Sequence, residues 1–172
     1  MKQRAVVFFQ IIGIPFTFLF AKEASMPLTV GQKAPEFSLV SSAGDTVRLS
    51  DFAGTHHVVL VFYPGDETPG CTKQLCAIRD DYSRFEAKNA KVFGVNPGSI
   101  DSHRKFAANH AFQFPLLFDE KQTVAKLYGC AAWPMVKRTV YVIDPQGTVI
   151  FAKQGMPSND EILAAIPGTA AE

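Results

Sequence analysis

Between residues 56 and 64 the chain reads HHVVLVFYP, a continuous apolar run closed by Pro64. Such a run marks a strand buried on both faces. The period changes behind it: from 71 to 87, apolar side chains recur at 75, 78, 82 and 85. That spacing gathers them on one face of a helix. KVFGVNP (91–97) predicts a second buried strand, and 99–110 predicts a helix with Ser99 as its N-cap. FPLLFD (114–119) predicts a short strand, and KQTVAKLYG a short helix closed by Gly129. RTVYVIDPQGTVIFAKQG predicts two strands joined through Asp144, Pro145, Gln146 and Gly147, a turn by its chemistry. Upstream, EFSLVSSAGDTVRLSDF holds two short apolar stretches around Ala43, Gly44 and Asp45, which predicts a hairpin. Downstream, Asn159 or Asp160 opens a last short helix that stops at Pro167. Strands alternating with helices in this order predict a layered α/β sheet covered on both faces.

The first 25 residues stand outside this pattern. Lys2 and Arg4 precede a stretch from Ala5 to Ala21 without a charge, a basic n-region before an apolar h-region, as in a secretory signal. Its 17 residues are marginal for a membrane span, and Gly13 with Pro15 weakens a straight helix. No cysteine lies near its end to carry a lipid, and LFA before Lys22 is the best cleavage site. Residues 1–25 are therefore expected to be a signal peptide or a membrane anchor acting through 5–21, giving a periplasmic or membrane-anchored protein. If translation begins at Met26, the segment is an untranslated extension and the protein is cytoplasmic. Residues 26–172 form one domain without repeat, low-complexity tract or long linker.

Composition narrows the function. The chain has 172 residues, 47% apolar and 19% charged, enough for the core of one ordinary domain. Seventeen basic against sixteen acidic side chains provide no basic excess for nucleic acid. Three cysteines are too few, and odd in number, for a secreted disulfide scaffold. Reactive or buried thiols remain.

Cys71 follows Thr68-Pro69-Gly70 where the helix begins behind the buried strand. Proline suits a first helical turn, and free N–H groups there favour an anion. A thiolate is the reactive form of cysteine, and helix N-termini can bring its pKa below the usual ~8.5. The competing reading, a buried packing cysteine, is the commoner fate of a lone thiol but does not account for this position. Cys76 is five residues on. On a regular helix the two Cα atoms would be ~8.6 Å apart, beyond the ~7 Å limit for a disulfide. Zinc fits no better, since structural sites use four ligands at shorter spacings. His56 and His57 are neighbours on a strand and point to opposite faces; His103 and His110, seven apart, share a helical face. With no carboxylate or cysteine beside them in sequence, all four read as solvent-facing or packing residues. No metal or other cofactor is expected. One reading reconciles the two thiols: Cys71 is oxidised to a sulfenic acid, the first turns of the helix open, and Cys76 swings in to form a disulfide with loss of water.

Pro64-x-x-x-Thr68-x-x-Cys71 resembles the signature of the peroxiredoxins. With CTKQLC it is similar to the bacterioferritin-comigratory or PrxQ subfamily, over Met26 to Ile166, including LTVGQKAPEFSL and RTVYVIDPQGTV. The resemblance implies a thioredoxin-like fold: a central mixed β-sheet flanked by helices on both faces, with an N-terminal β-hairpin. It also implies a monomer that reduces hydrogen peroxide or organic hydroperoxides and is recycled by thioredoxin or a similar dithiol. Cys71 would be the peroxidatic residue and Cys76 the resolving one. Thr68 would hydrogen-bond the thiolate and the peroxide, Pro64 would shield the pocket, and Arg138 would stabilise the thiolate and the developing charge. Each of the last three has a plainer role open to it: helix cap, strand terminator and solvated edge charge respectively. Arg79 could reach under the helix, although a surface pair with Asp80, Asp81 or Glu86 is simpler. Cys130 matches no part of the motif. Burial is its expected fate, with a substitute resolving thiol or an intersubunit bridge as alternatives. A non-enzymatic redox sensor or binding protein using the same disulfide switch is the other functional reading, and turnover separates it from an enzyme.

Overall fold

The computed structural model describes residues 26–168; the expectations for residues 1–25 fall outside them. Among the described residues no helix is long and apolar enough to cross a membrane.

The apolar run forms β3 (His57–Phe62), the central strand. β4 (Ala90–Asn96) pairs parallel to it along its whole length, and β8 (Thr139–Ile143) pairs antiparallel on its other side. β5 (Leu116–Phe118) continues the parallel part beyond β4, and β9 (Val149–Gln154) closes the edge beyond β8. The expected hairpin, β1 (Ser38–Ser41) and β2 (Thr46–Arg48), closes the opposite edge with β1 antiparallel to β5. The order β2-β1-β5-β4-β3-β8-β9 makes the sheet mixed. A two-residue ladder, β6 (Ala131–Ala132) with β7 (Met135–Val136), flanks a cis Trp133–Pro134 bond. It is too short to leave a period in the sequence.

Successive strand residues point to opposite faces, so β3 serves two cores. Val58, Leu60 and Phe62 join Phe93, Tyr128 and Tyr141 on one side. Val59, Val61 and Tyr63 join Leu75, Ile78, Phe85 and Phe106 on the other. This second core lies under α1 (Pro69–Asp80), α2 (Tyr82–Ala87), α3 (Ile100–Asn109) and α5 (Asn159–Ala165). α4 (Thr123–Leu127) covers the first through Val124 and Ala125. Ser99 caps α3, its hydroxyl accepting from the Ser102 N–H at 3.2 Å. Ser158, one residue before the expected opening, caps α5 in a reciprocal pair with Glu161.

The helix expected over 71–87 is two helices. Asp81 leaves helical geometry at φ −99°, ψ 11°. Its carboxylate accepts from Asn159 Nδ2 at 2.9 Å and Arg84 Nη1 at 3.2 Å. Ile78 and Phe85 stay buried across the break and Tyr82 half-buried, so the apolar period runs through a kink it cannot reveal.

One glycine is required by packing. A Cβ at Gly94 would stand 2.6 Å from Leu116 Cδ2 and 2.9 Å from Tyr63 Cε1. The bare backbone of β4 lets the Tyr63 ring pack directly on it, and Tyr63 carries a hydroxyl needed at the site.

Candidate active site

The chain leaves β3 through a short loop, residues 63–68, and enters α1 at Pro69 behind Thr68 in the N-cap position. Cys71 is the third residue of α1, fully buried, on the face it shares with Gln74, Leu75 and Ile78. Helical spacing of three, four and seven puts these four together. In the first turn the backbone N–H groups have no intrahelical partner, so their dipoles face the sulfur's neighbourhood.

The cation arrives from far along the chain. Phe62, the last residue of β3, pairs with Thr139, the first of antiparallel β8. Residue 138 therefore emerges at the same end of the sheet as the start of α1. Arg138 Nη2 donates to Cys71 Sγ at 3.2 Å, and Nη1 donates to Gln74 Oε1. The planar fork thus spans one helical turn. Gln74 was missed by sequence reasoning, although its place three residues after Cys71 is a signal that could have found it.

Thr68 and Pro64 lie in the loop that leads into α1 and Cys71. The Thr68 hydroxyl donates to the Gly65 carbonyl at 3.1 Å and makes no side-chain cap bond. Thr68 holds the expected N-cap position of α1, but its hydroxyl bonds neither a helix N–H nor the sulfur in this state. The loop's own hydrogen bond satisfies the hydroxyl first.

The loop is pinned by Asp66. Its Oδ1 accepts from Tyr63 Oη (2.8 Å) and Asn96 Nδ2 (2.8 Å). Its Oδ2 accepts from Ser102 Oγ (2.6 Å) and meets His103 Nδ1 (2.8 Å). The carboxylate is nearly inaccessible, 5% exposed, and the His103 ring is fully buried. Burial works against its ionisation, but the hydrogen bonds from His103, Ser102 and Tyr63 outweigh that and hold the carboxyl below its usual range. Burial first, then the Asp66 charge, drives the Tyr63 phenol well above its usual range.

The histidine reading is corrected here. His103 is buried against a carboxylate, and His110 touches both a carboxylate and a thiol. His110 Nδ1 lies 3.7 Å from Cys76 Sγ and its Nε2 lies 3.0 Å from Glu67 Oε2. The partners are 34 to 43 residues away in the chain, beyond the reach of local pattern. Cys76 is half-buried on α1, off the face that carries Cys71. Arg79 pairs with Asp80 at 2.7 Å and also donates to the His110 carbonyl at 2.8 Å, tying α1 to the end of α3. Cys130 is buried at 1% exposure in the other core. Among the described residues no group of three His, Cys, Asp or Glu could hold a metal ion.

Residues 30–152 match the model of the AhpC/TSA family. Peroxiredoxin Bcp of Bacillus subtilis is 34% identical over 82% of this chain and 94% of its own length. The chloroplastic Peroxiredoxin Q of Sedum lineare is 40% identical over 84% of this chain and 78% of its own. Among solved structures, Peroxidoxin BcpB from Mycobacterium tuberculosis superposes with a TM-score of 0.76 at 33% identity, covering 82% of this chain and 96% of that one. The thioredoxin-like fold expected from the sequence is the fold observed.

Proposed function

This chain belongs to the AhpC/TSA family and is a thiol-dependent peroxidase, and on that premise we propose that Cys71 attacks the peroxide and Cys76 resolves the product. The observation that carries the assignment is Arg138 Nη2 at 3.2 Å from Cys71 Sγ, at the opening of α1. A guanidinium and oriented N–H dipoles stabilise negative charge on that sulfur and on the oxygens of a breaking O–O bond.

The chemistry balances in three steps. Cys71 thiolate displaces the distal oxygen's partner from ROOH, giving Cys71–SOH and, with one proton, ROH. Cys76–SH then displaces hydroxide from Cys71–SOH, giving the Cys71–Cys76 disulfide and water. An external dithiol, of the thioredoxin type, reduces the disulfide by exchange and leaves oxidised. In the first step Thr68 turns its hydroxyl from Gly65 toward the incoming oxygen, and Pro64 limits water at the pocket. Gln74 keeps the Arg138 fork aligned, and Asp66 keeps the loop in place.

Both thiols are free here, and α1 runs unbroken between them. At five residues' spacing they are ~8.6 Å apart at Cα, so the second step requires α1 to unwind locally. The proposal extends to a monomer, and to export or membrane anchoring through residues 5–21; N-terminal sequencing of the natural protein tests the latter. Peroxide consumption with excess dithiol tests the assignment. Cys71→Ser should abolish turnover, while Cys76→Ser should consume one peroxide per chain and stop. Sustained turnover by Cys71→Ser would end the proposal.

A further inference from the structure

Cys76 has surroundings that a passive second thiol would not need. It sits ~140° around α1 from Cys71 and faces the C-terminal end of α3. There His110, the C-cap residue, presents Nδ1 to Cys76 Sγ at 3.7 Å. The imidazole is packed edge-on to Phe106, with ring centres 5.1 Å apart, and stacked on Phe112 at 5.7 Å. Its far nitrogen, Nε2, is 3.0 Å from Glu67 Oε2. A second hydrogen bond, from Asn109 Nδ2 to Oε1 at 2.9 Å, aims the carboxylate. Glu67 is held at φ +55°, a left-handed conformation costly for such a residue.

We propose that His110 is the base that takes the proton from Cys76 in the resolving step, with Glu67 as the positioning residue for its ring; this rests on Cys76 being the resolving thiol. A carboxylate on Nε2–H selects the tautomer whose Nδ1 lone pair points at the thiol. Nucleophile, base and orienting acid then stand in the arrangement that activates a weak nucleophile. The contacts use opposite ring nitrogens, so thiol and carboxylate do not converge on an ion. The titratable groups on the ring nitrogens are Glu67 from the loop and Cys76 from α1, while Arg79 of α1 donates to the His110 backbone carbonyl rather than to the ring.

The step balances without an outside reagent. His110 Nδ1 accepts the Cys76 S–H proton while Glu67 faces the resulting imidazolium. Cys76 then leaves the frayed helix as a thiolate, and its electron pair forms the S–S bond as hydroxide departs from Cys71. That hydroxide recovers the proton from the imidazolium through solvent and becomes water. Glu67 directly precedes Thr68, so the acid that orients the base belongs to the loop bordering the peroxide pocket.

The test follows both steps in one experiment. Reduced full-length protein is mixed with one equivalent of hydrogen peroxide and quenched at intervals with dimedone and an alkylating agent. Mass spectrometry then counts Cys71 sulfenic acid and Cys71–Cys76 disulfide. For His110→Gln the deficit should fall on disulfide formation, roughly 10²-fold at pH 7. It should shrink as the solution is made alkaline, where solvent hydroxide can take the thiol proton without the imidazole. Glu67→Gln should show a smaller loss in the same step with the same recovery. Resolution in His110→Gln at the wild-type rate, or slowed equally at every pH, overturns the proposal and leaves the roles of the cysteines standing. Failure of the wild-type protein to form a Cys71–Cys76 bond removes both.

Discussion

Arg138 reaches Cys71 at 3.2 Å although 67 residues separate them. The register of β8 on β3 carries the guanidinium to the end of the sheet where α1 begins. One nitrogen of its fork is on the sulfur and the other on Gln74, so the cation cannot drift from the reacting atoms. Arg138→Gln should slow Cys71 oxidation by roughly 10²–10³-fold, the effect of losing a fixed donor to developing charge. Arg138→Lys should recover only part of this, since an ammonium cannot hold sulfur and amide in one plane. Stopped-flow oxidation by peroxide measures both, and a wild-type rate in either variant contradicts the role.

The distance that forbids a disulfide within an intact α1 makes oxidation a structural event. Amide exchange should rise over residues 70–80 on conversion of dithiol to disulfide, while β3 and β4 remain protected. Hydrogen-exchange mass spectrometry of the two forms reads this directly. Unchanged protection in α1 alongside a mapped Cys71–Cys76 bond would contradict the unwinding.

Asp66 ties acid stability to the active-site loop. Its folded carboxyl titrates below its ordinary range, so its contribution is fully present above the unfolded value. It is lost as pH falls through the folded one, hence below about pH 4. In Asp66→Asn, an NH2 group replaces one acceptor oxygen and leaves two donors unsatisfied. The variant should be about 1–3 kcal/mol less stable at pH 7, and its melting temperature should vary less than wild type below pH 4. Denaturation across that range decides it, and parallel curves for the two proteins would remove Asp66 as the cause.

Cys130 should take no part. Burial pushes its thiol up to about 12, and its Sγ is 3.5 Å from the Ala125 carbonyl it donates to. Brief alkylation of the reduced, folded protein at pH 7 should spare it, and Cys130→Ala should keep peroxide turnover within about twofold, as for a thiol that is never exposed. A peroxide-induced Cys71–Cys130 bond would instead make it the resolving residue.

The strand at 57–62, the hairpin near Gly44, the capped α3 and the turn at 144–147 are all legible in the chain, because each rests on neighbours within a few residues. So is the motif around Cys71, whose residues share one loop and one helical turn. The break at Asp81 is hidden because the apolar stripe passes unbroken through it. The histidines are hidden for a different reason. Their spacing places them on one face of α3, but their carboxylates come from the loop after β3 and the thiol at His110 comes from α1. Local patterning by itself determined which residue types lie where along the elements, because backbone propensity and burial period are short-range. Only the folded sheet decided that Arg138 meets Cys71 and that His110 meets Cys76. Such contacts depend on strand register and helix docking, to which residues far apart in the chain contribute at once.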